Sequence, residues 1–254
     1  MSKSVLAAQL YTVREFAKTP SEIANTLKKV KEIGYDSVQV SGIGPIEPKE
    51  LKRIIDNEGL SICATHTSYE RMVKDIQSVI EGHHLWNCKY VGIGGMPEQY
   101  RNKEGFYKFA KESSIIAKKL LENGLIFFYH NHSFELEKFE GKTGLEILFN
   151  ESDPETFNFC IDTYWIQHGG GDPAAWIKKF NTRVPLIHLK DMVMVGGNQL
   201  MAEVGEGNLN WKSILKACKN AGVKWYIVEQ DICQRDPFES LSISFKNLNK
   251  MGIK

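Results

Sequence analysis

Long hydrophobic runs are missing from this chain. No stretch of its 254 residues approaches the roughly 18–20 apolar residues that a helix needs to cross a bilayer, so no membrane partner is expected. A surplus of charge is missing too. Lys and Arg number 32, Asp and Glu 31, and the formal net charge is +1, which leaves no general electrostatic footprint for nucleic acid. The five cysteines (Cys63, Cys88, Cys160, Cys218 and Cys233) include no CxxC pair, and their number is odd. That pattern argues against a disulfide framework and for unpaired, mostly buried thiols in a reducing compartment, with the cytoplasm as the expected location. Met1 to Arg14 looks briefly like a signal peptide, but its apolar stretch from Val5 to Leu10 is too short, and Arg14 and Glu15 follow at once. A leader removed from a natural precursor would leave no trace in this sequence. Low-complexity and Pro/Ser-rich linkers are absent, so nothing marks a second domain. No GxGxxG follows the first apolar segment, which removes the usual signal for a dinucleotide-binding sheet.

What is present is one unit, repeated. Lys31-Glu32-Ile33-Gly34 leads into Ser37-Val38-Gln39-Val40, Asn57-Glu58-Gly59 into Leu60 to Thr65, Glu122-Asn123-Gly124 into Leu125 to His130, and Asn220-Ala221-Gly222 into Trp225 to Glu229. In each, a glycine closes a helical pattern, where a left-handed φ ends the helix without a Cβ penalty. A short apolar run follows, suited to a strand buried on both faces. Eight strands are expected, at about 5–10, 37–41, 60–65, 89–94, 125–131, 157–162, 185–189 and 225–229. Amphipathic helices lie between them, with Ile23, Leu27, Val30 and Ile33 on one face and Phe106, Phe109, Ile116 and Leu120 on another. Pro20-Ser21-Glu22, Pro48-Lys49-Glu50, Asp172-Pro173 and Asp236-Pro237 read as helix openings. The length suits a single α/β domain over residues 1–254, a (β/α)8 barrel, in preference to an open doubly wound sheet.

Active sites of such barrels are built from the last residues of the strands. Those ends carry Gln9, Tyr11 and Arg14 near strand 1, His66 on strand 3, and Tyr129-His130-Asn131-His132 with Glu135 on strand 5. Asp162 ends strand 6, His188 and Lys190 strand 7, and Glu229, Gln230 and Asp231 strand 8. A lone histidine at a strand end is more often satisfied by a neighbour than bound to metal, and a lone aspartate there commonly caps the next helix. Asp162, His188 and Glu229 on three successive strands point together to a metal. Mixed imidazole and carboxylate donors suit Mn2+, Zn2+, Co2+ or Fe2+ better than Mg2+ or Ca2+. Trp165, Tyr11 and Trp86 are the candidate apolar walls for a sugar ring, with Trp86 assigned to the core and His83-His84 to the surface. Gly205-Glu206-Gly207 reads equally as a structural turn and as a substrate contact.

The segments Tyr129-His130-Asn131-His132-Ser133-Phe134-Glu135, Cys160-Ile161-Asp162-Thr163-Tyr164-Trp165, Ile187-His188-Leu189-Lys190-Asp191-Met192, Glu203-Val204-Gly205-Glu206-Gly207 and Val228-Glu229-Gln230-Asp231 resemble the sugar phosphate isomerase/epimerase family. These are xylose-isomerase-like TIM barrels related to inosose dehydratase and the ketose 3-epimerases. The resemblance runs over essentially the whole chain. It implies one metal held by Glu, Asp, His and Glu from strands 5 to 8, and Asp162, His188 and Glu229 match the last three. At the first position this chain has His130 in place of Glu. His130 itself, His132 or Glu135 is then the fourth ligand, with His130 preferred for its matching position. In the epimerase members the ligand carboxylates of strands 5 and 8 are also the acid/base pair, which here implies His130 with Glu229. His132, on the same strand face as His130 by two-residue alternation, is a further candidate as proton carrier or substrate contact. Tyr11, His66, Glu135, Trp165, Lys190 and Glu206 are the expected substrate contacts.

The activity implied is metal-dependent isomerisation or epimerisation of a sugar, keto-sugar or cyclitol, by removal of a proton next to a carbonyl to give an enediolate. If a β-hydroxyl leaves from the same intermediate, the result is a dehydratase or lyase, the alternative reading. Abasic-site endonucleases share this barrel, and Cys160-Ile161-Asp162-Thr163 resembles theirs. Their pattern continues to a further His three residues past the Asp, where this chain has Trp165. A non-catalytic sugar-binding barrel is the remaining option. A small-molecule partner, no nucleic acid and a possible homo-oligomer complete the expectation.

Overall fold

The computed structural model describes residues 5–254. Eight parallel strands close on themselves: β1 (Leu6–Gln9), β2 (Ser37–Val40), β3 (Ser61–His66), β4 (Tyr90–Ile93), β5 (Ile126–His130), β6 (Phe157–Asp162), β7 (Leu186–Leu189) and β8 (Trp225–Val228). Closure comes from β1 pairing with β8 through Leu6↔Tyr226, Ala7↔Ile227 and Ala8↔Val228. The helices are α1 (Pro20–Ile33), α2 (Pro48–Asn57), α3 (Tyr69–Lys74), α4 (Ile76–Leu85), α5 (Lys103–Glu122), α6 (Gly144–Glu151), α7 (Thr163–His168), α8 (Pro173–Phe180), α9 (Trp211–Ala221) and α10 (Pro237–Lys250). All four expected openings begin helices, three of them with a side-chain cap and α2 at Pro48 without one. Thr19 forms a reciprocal capping box with Glu22 ahead of Pro20, and Asp172 and Asp236 cap α8 and α10. Gly222 ends α9 in the left-handed conformation, as its position after the helical pattern requires.

Strand alternation places the site. One apolar cluster fills the barrel lumen, made by Ala7, Cys63, Ala64, Phe128, Cys160, Leu186 and Ile227. Around its largest member, Phe128, the walls are small. A Cβ on Gly92 would stand 2.1 Å from the Phe128 ring, so the lumen holds this phenyl only because strand β4 offers no side chain there. Two residues on from these plug residues, on the same strand face, come Gln9, His66, His130, Asp162, His188 and Glu229. The apolar plug is the floor, and a polar layer lies directly on it at the C-terminal ends of the strands. Outward-facing residues such as Phe127, Tyr129, Phe157 and Phe159 join the larger cluster between barrel and helices.

Two antiparallel hairpins decorate this frame, one at Lys138–Phe139 with Lys142–Thr143 and one at Asp191–Val195 with Asn198–Ala202. The helical pattern alone did not reveal either. His83 is also unlike its expectation. It is buried rather than on the surface, with its Nδ1–H donated to Val79 O (2.6 Å) and Nε2 accepting from Thr65 Oγ1 (2.8 Å). Trp86 is half-buried and packs on the core, its indole N–H donated to Pro48 O at 2.9 Å.

Candidate metal centre

His130, Asp162, His188 and Glu229 each offer one donor atom, all within 4.8 Å of one another and all from buried residues. His130 Nε2 lies 3.3 Å from Asp162 Oδ2 and 3.9 Å from Glu229 Oε2. His188 Nδ1 lies 2.9 Å from Glu229 Oε2 and 3.9 Å from Asp162 Oδ2. Bonds of about 2.0–2.2 Å around a tetrahedral ion place neighbouring ligand atoms about 3.4 Å apart, and these separations bracket that edge. The donor set therefore fits a first-row divalent ion.

Three of the four ligand-type side chains are held by their other ends. His130 donates Nδ1–H to Gly94 O at 3.3 Å, which turns Nε2 toward the cluster. His188 donates Nε2–H to Gln39 Oε1 at 2.7 Å, which turns Nδ1 toward it. Fixing one imidazole nitrogen with a neutral acceptor so that the other can bind is how metal-ligating histidines are oriented. Asp162 is divided in the same way. Its Oδ1 accepts from Trp165 N (2.9 Å) and caps α7, while Oδ2 faces the cluster. The helix-capping reading of this aspartate holds for Oδ1, and Oδ2 is the oxygen that could serve a metal. Asn131, between the two histidines of strand β5, accepts from Asp162 N at 3.0 Å and locks β5 to β6.

Lys190 is fully buried at the centre of the acidic groups. Its Nζ contacts Asp162 Oδ2 at 2.9 Å, Glu229 Oε2 at 2.8 Å and Asp231 Oδ2. Burial opposes ionisation of Asp162 and Glu229, but the Lys190 ammonium and the neighbouring histidines outweigh it and hold both carboxyls below their ordinary range. Burial, then the Glu229 charge, push Asp231 the other way. Three carboxylates against one ammonium leave two negative charges. Without an ion, Asp162 and Glu229 outweigh burial and raise the His130 pKa; a divalent ion on neutral histidines would balance those charges instead.

Over this layer lies a cavity of about 200 Å3 lined by Tyr11, Ser41, His66, Gly94, His130, His132, Glu229 and Asp231. His132 stands edge-on to His130 with ring centroids 4.9 Å apart and leans on Trp165 at 5.4 Å. Burial and the His130 charge push its pKa down to about 3, so it is neutral. His132 Nδ1, His66 Nε2 and Trp165 Nε1 are buried without a hydrogen-bond partner in the protein. Buried polar atoms are rarely left so, and two of these three belong to His66 and His132, which line the cavity.

The structure gathers His66, His130, His132, Asp162, His188, Lys190, Glu229 and Tyr11 as expected, with Trp165 at the edge. It does not bring Glu135 or Glu206 to the cavity. Glu135 turns away to accept from Tyr129 Oη (2.6 Å) and His132 N (2.9 Å), bracing the strand β5 turn. Glu206 is exposed and accepts from Asn247 Nδ2 at 2.8 Å. The Gly205-Glu206-Gly207 segment instead wraps the buried carboxylate of Asp191, which accepts from the backbone of Met192, Gly205, Gly207 and Leu209 and from Trp211 Nε1. A Cβ on Gly207 would fall 2.4 Å from Asp191 Oδ1. Gln39, Ser41, Asn131 and Asp191 were not singled out from sequence. Only Asn131, between two candidate ligands, carried a local signal.

A closed (β/α)8 barrel with a buried His/Asp/His/Glu cluster at the C-terminal ends of its strands defines a class of barrels equipped to hold one metal ion. Within that class, the profile of the xylose isomerase-like TIM barrel family matches residues 27–240, and the chain belongs to that family. Inosose dehydratase of Bacillus cereus (strain AH820) is 24% identical over 245 residues, covering 81% of this chain and 82% of the relative. A sugar phosphate isomerase/epimerase structure from Parabacteroides distasonis ATCC 8503 superposes with a TM-score of 0.83 at 21% identity, covering 100% of this chain and 97% of its own. L-ribulose 3-epimerase superposes at 0.73 with 12% identity, covering 99% and 95%.

Proposed function

We propose that this protein is a divalent-metal-dependent isomerase or epimerase of a keto-sugar or keto-cyclitol, with His130, Asp162, His188 and Glu229 holding the ion. The carrying observation is the pair of oriented histidines, each with one nitrogen committed to a neutral oxygen and the other turned toward Asp162 and Glu229. A bound divalent ion supplies Lewis acidity, drawing charge from a carbonyl so that the adjacent C–H becomes acidic. The chain supplies the rest. Glu229 and His132 line the cavity just past the ends of different strands, and both enter in the basic form. One takes the proton next to the carbonyl, and return to the neighbouring carbon or to the opposite face gives isomerisation or epimerisation. Lys190 offsets the charge that accumulates on the carboxylates, while Tyr11, Ser41 and His66 offer polar contacts to ring hydroxyls. Loss of a β-hydroxyl instead of reprotonation makes the same site a dehydratase, a reading favoured by the inosose dehydratase likeness.

Incubation with keto-sugars and keto-cyclitols in D2O tests this. An accepted ring exchanges its α-hydrogen, and chelation stops the exchange. Turnover with neither exchange nor a primary isotope effect, where chemistry limits the rate, contradicts the proton-transfer route.

A further inference from the structure

The inner cavity, about 200 Å3, is smaller than the roughly 300–1,000 Å3 of common ligand sites. His66 and Gly94 also line a neighbouring groove of about 310 Å3 between the end of strand β3 and the turn after strand β4, and Gly95 lines that groove as well. Neither Gly94 nor Gly95 has a positive φ, so backbone conformation does not require glycine at either place. Space requires it at Gly94, where a Cβ would stand 2.7 Å from His66 Nδ1, whereas one on Gly95 would make an ordinary 3.4 Å contact with His132 Cε1. The bare backbone of Gly94 leaves room for His66, which with His132 lines the inner cavity and carries a buried ring nitrogen without a partner. The groove is lined by Thr67, Ser68, Glu70 and Pro97 beyond the glycines, and no Lys or Arg lines it. With hydroxyls, a carboxylate and a flat glycine–proline wall, it suits an uncharged ring and repels a phosphate.

We infer that the substrate has two parts: a keto ring in the inner cavity, and an uncharged second ring, joined through oxygen, in the groove between strands β3 and β4. This deepens the proposed function and rests on it for the identity of the first ring. The second ring supplies binding energy remote from the reacting carbon, which such sites use to orient the reacting ring.

The test compares the wild-type protein on a keto-pyranose and on the same ring carrying a phenyl or glucosyl group on its anomeric oxygen, with binding followed by calorimetry in parallel. At least one substituted ring is expected to have a kcat/KM, or an affinity where turnover is absent, at least tenfold above the bare ring. Equal or weaker values for both substituted rings overturn the inference. Gly95→Phe fills the groove without left-handed strain and is expected to bring the ratio close to one. Glu70→Trp, at an exposed position on the β3 side, does the same if Gly95→Phe does not fold. A preference that survives a filled groove also overturns the inference. The two readings fail separately: α-hydrogen exchange on the bare ring without any preference sinks the second ring alone. Preferential binding without exchange on any ring sinks the proposed chemistry and leaves the groove.

Discussion

Lys190 is the residue on which the site's electrostatics turn. Its ammonium touches Asp162 Oδ2 and Glu229 Oε2, the same two oxygens that face the imidazoles of His130 and His188. A cation so close to a divalent ion weakens its binding, and at an effective dielectric near 20 even a partly screened repulsion exceeds about 1.4 kcal/mol. Lys190→Met is therefore expected to bind Co2+ or Mn2+ at least tenfold more tightly by titration. Its metal-free form should be less stable by about 3–5 kcal/mol, because buried carboxylates lose their counter-ion. A lower metal affinity in Lys190→Met would show that the lysine acts only by positioning the carboxylates. Gln39 makes the complementary case. It touches His188 at the nitrogen turned away from the cluster, so Gln39→Leu should cost about 10–100-fold in metal affinity while leaving the barrel folded.

At the scale of elements, the strand β3 end is set by a buried histidine that sequence reading had placed on the surface. His83 on α4 accepts from Thr65, the residue before His66, and burial pushes its pKa down to about 4. A histidine depressed in the folded state adds stability that is complete above its unfolded value near 6.5 and is lost as pH falls toward 4. At about 1.4 kcal/mol per pKa unit, that is roughly 3 kcal/mol. Urea unfolding between pH 7.5 and 4.5 should show this slope, and His83→Gln should flatten it while lowering stability at neutral pH. An unchanged slope in the variant would place the acid sensitivity elsewhere. The loop after strand β7 depends on Asp191 in the same way. Asp191→Ala strands four backbone donors and one indole N–H and is expected to cost more than about 3 kcal/mol of unfolding free energy.

For the whole molecule, the strands and their order were legible because each begins as a short apolar run after a helix-ending glycine and ends in a polar residue. Ala7 and Gln9, Phe128 and His130, Cys160 and Asp162, Leu186 and His188, and Ile227 and Glu229 all obey one two-residue alternation. Parity therefore gave both the lumen and the ligand layer. What parity does not encode is contact between elements distant in sequence. Gln39 meets His188 across 149 residues, and the lysine meets its three carboxylates only once the barrel closes. Glu135 and Glu206 lie away from the cavity for a related reason, since both lie in loops whose direction local pattern does not fix. The central claim is one metal on four named atoms. A crystal equilibrated with Mn2+ and measured at wavelengths that isolate its anomalous signal tests this directly. The expected result is a single peak within about 2.3 Å of His130 Nε2, Asp162 Oδ2, His188 Nδ1 and Glu229 Oε2, consistent with first-row metal–ligand bond lengths. A peak bonded to His132 or Glu135 in place of His130, or no peak among these residues, would contradict it.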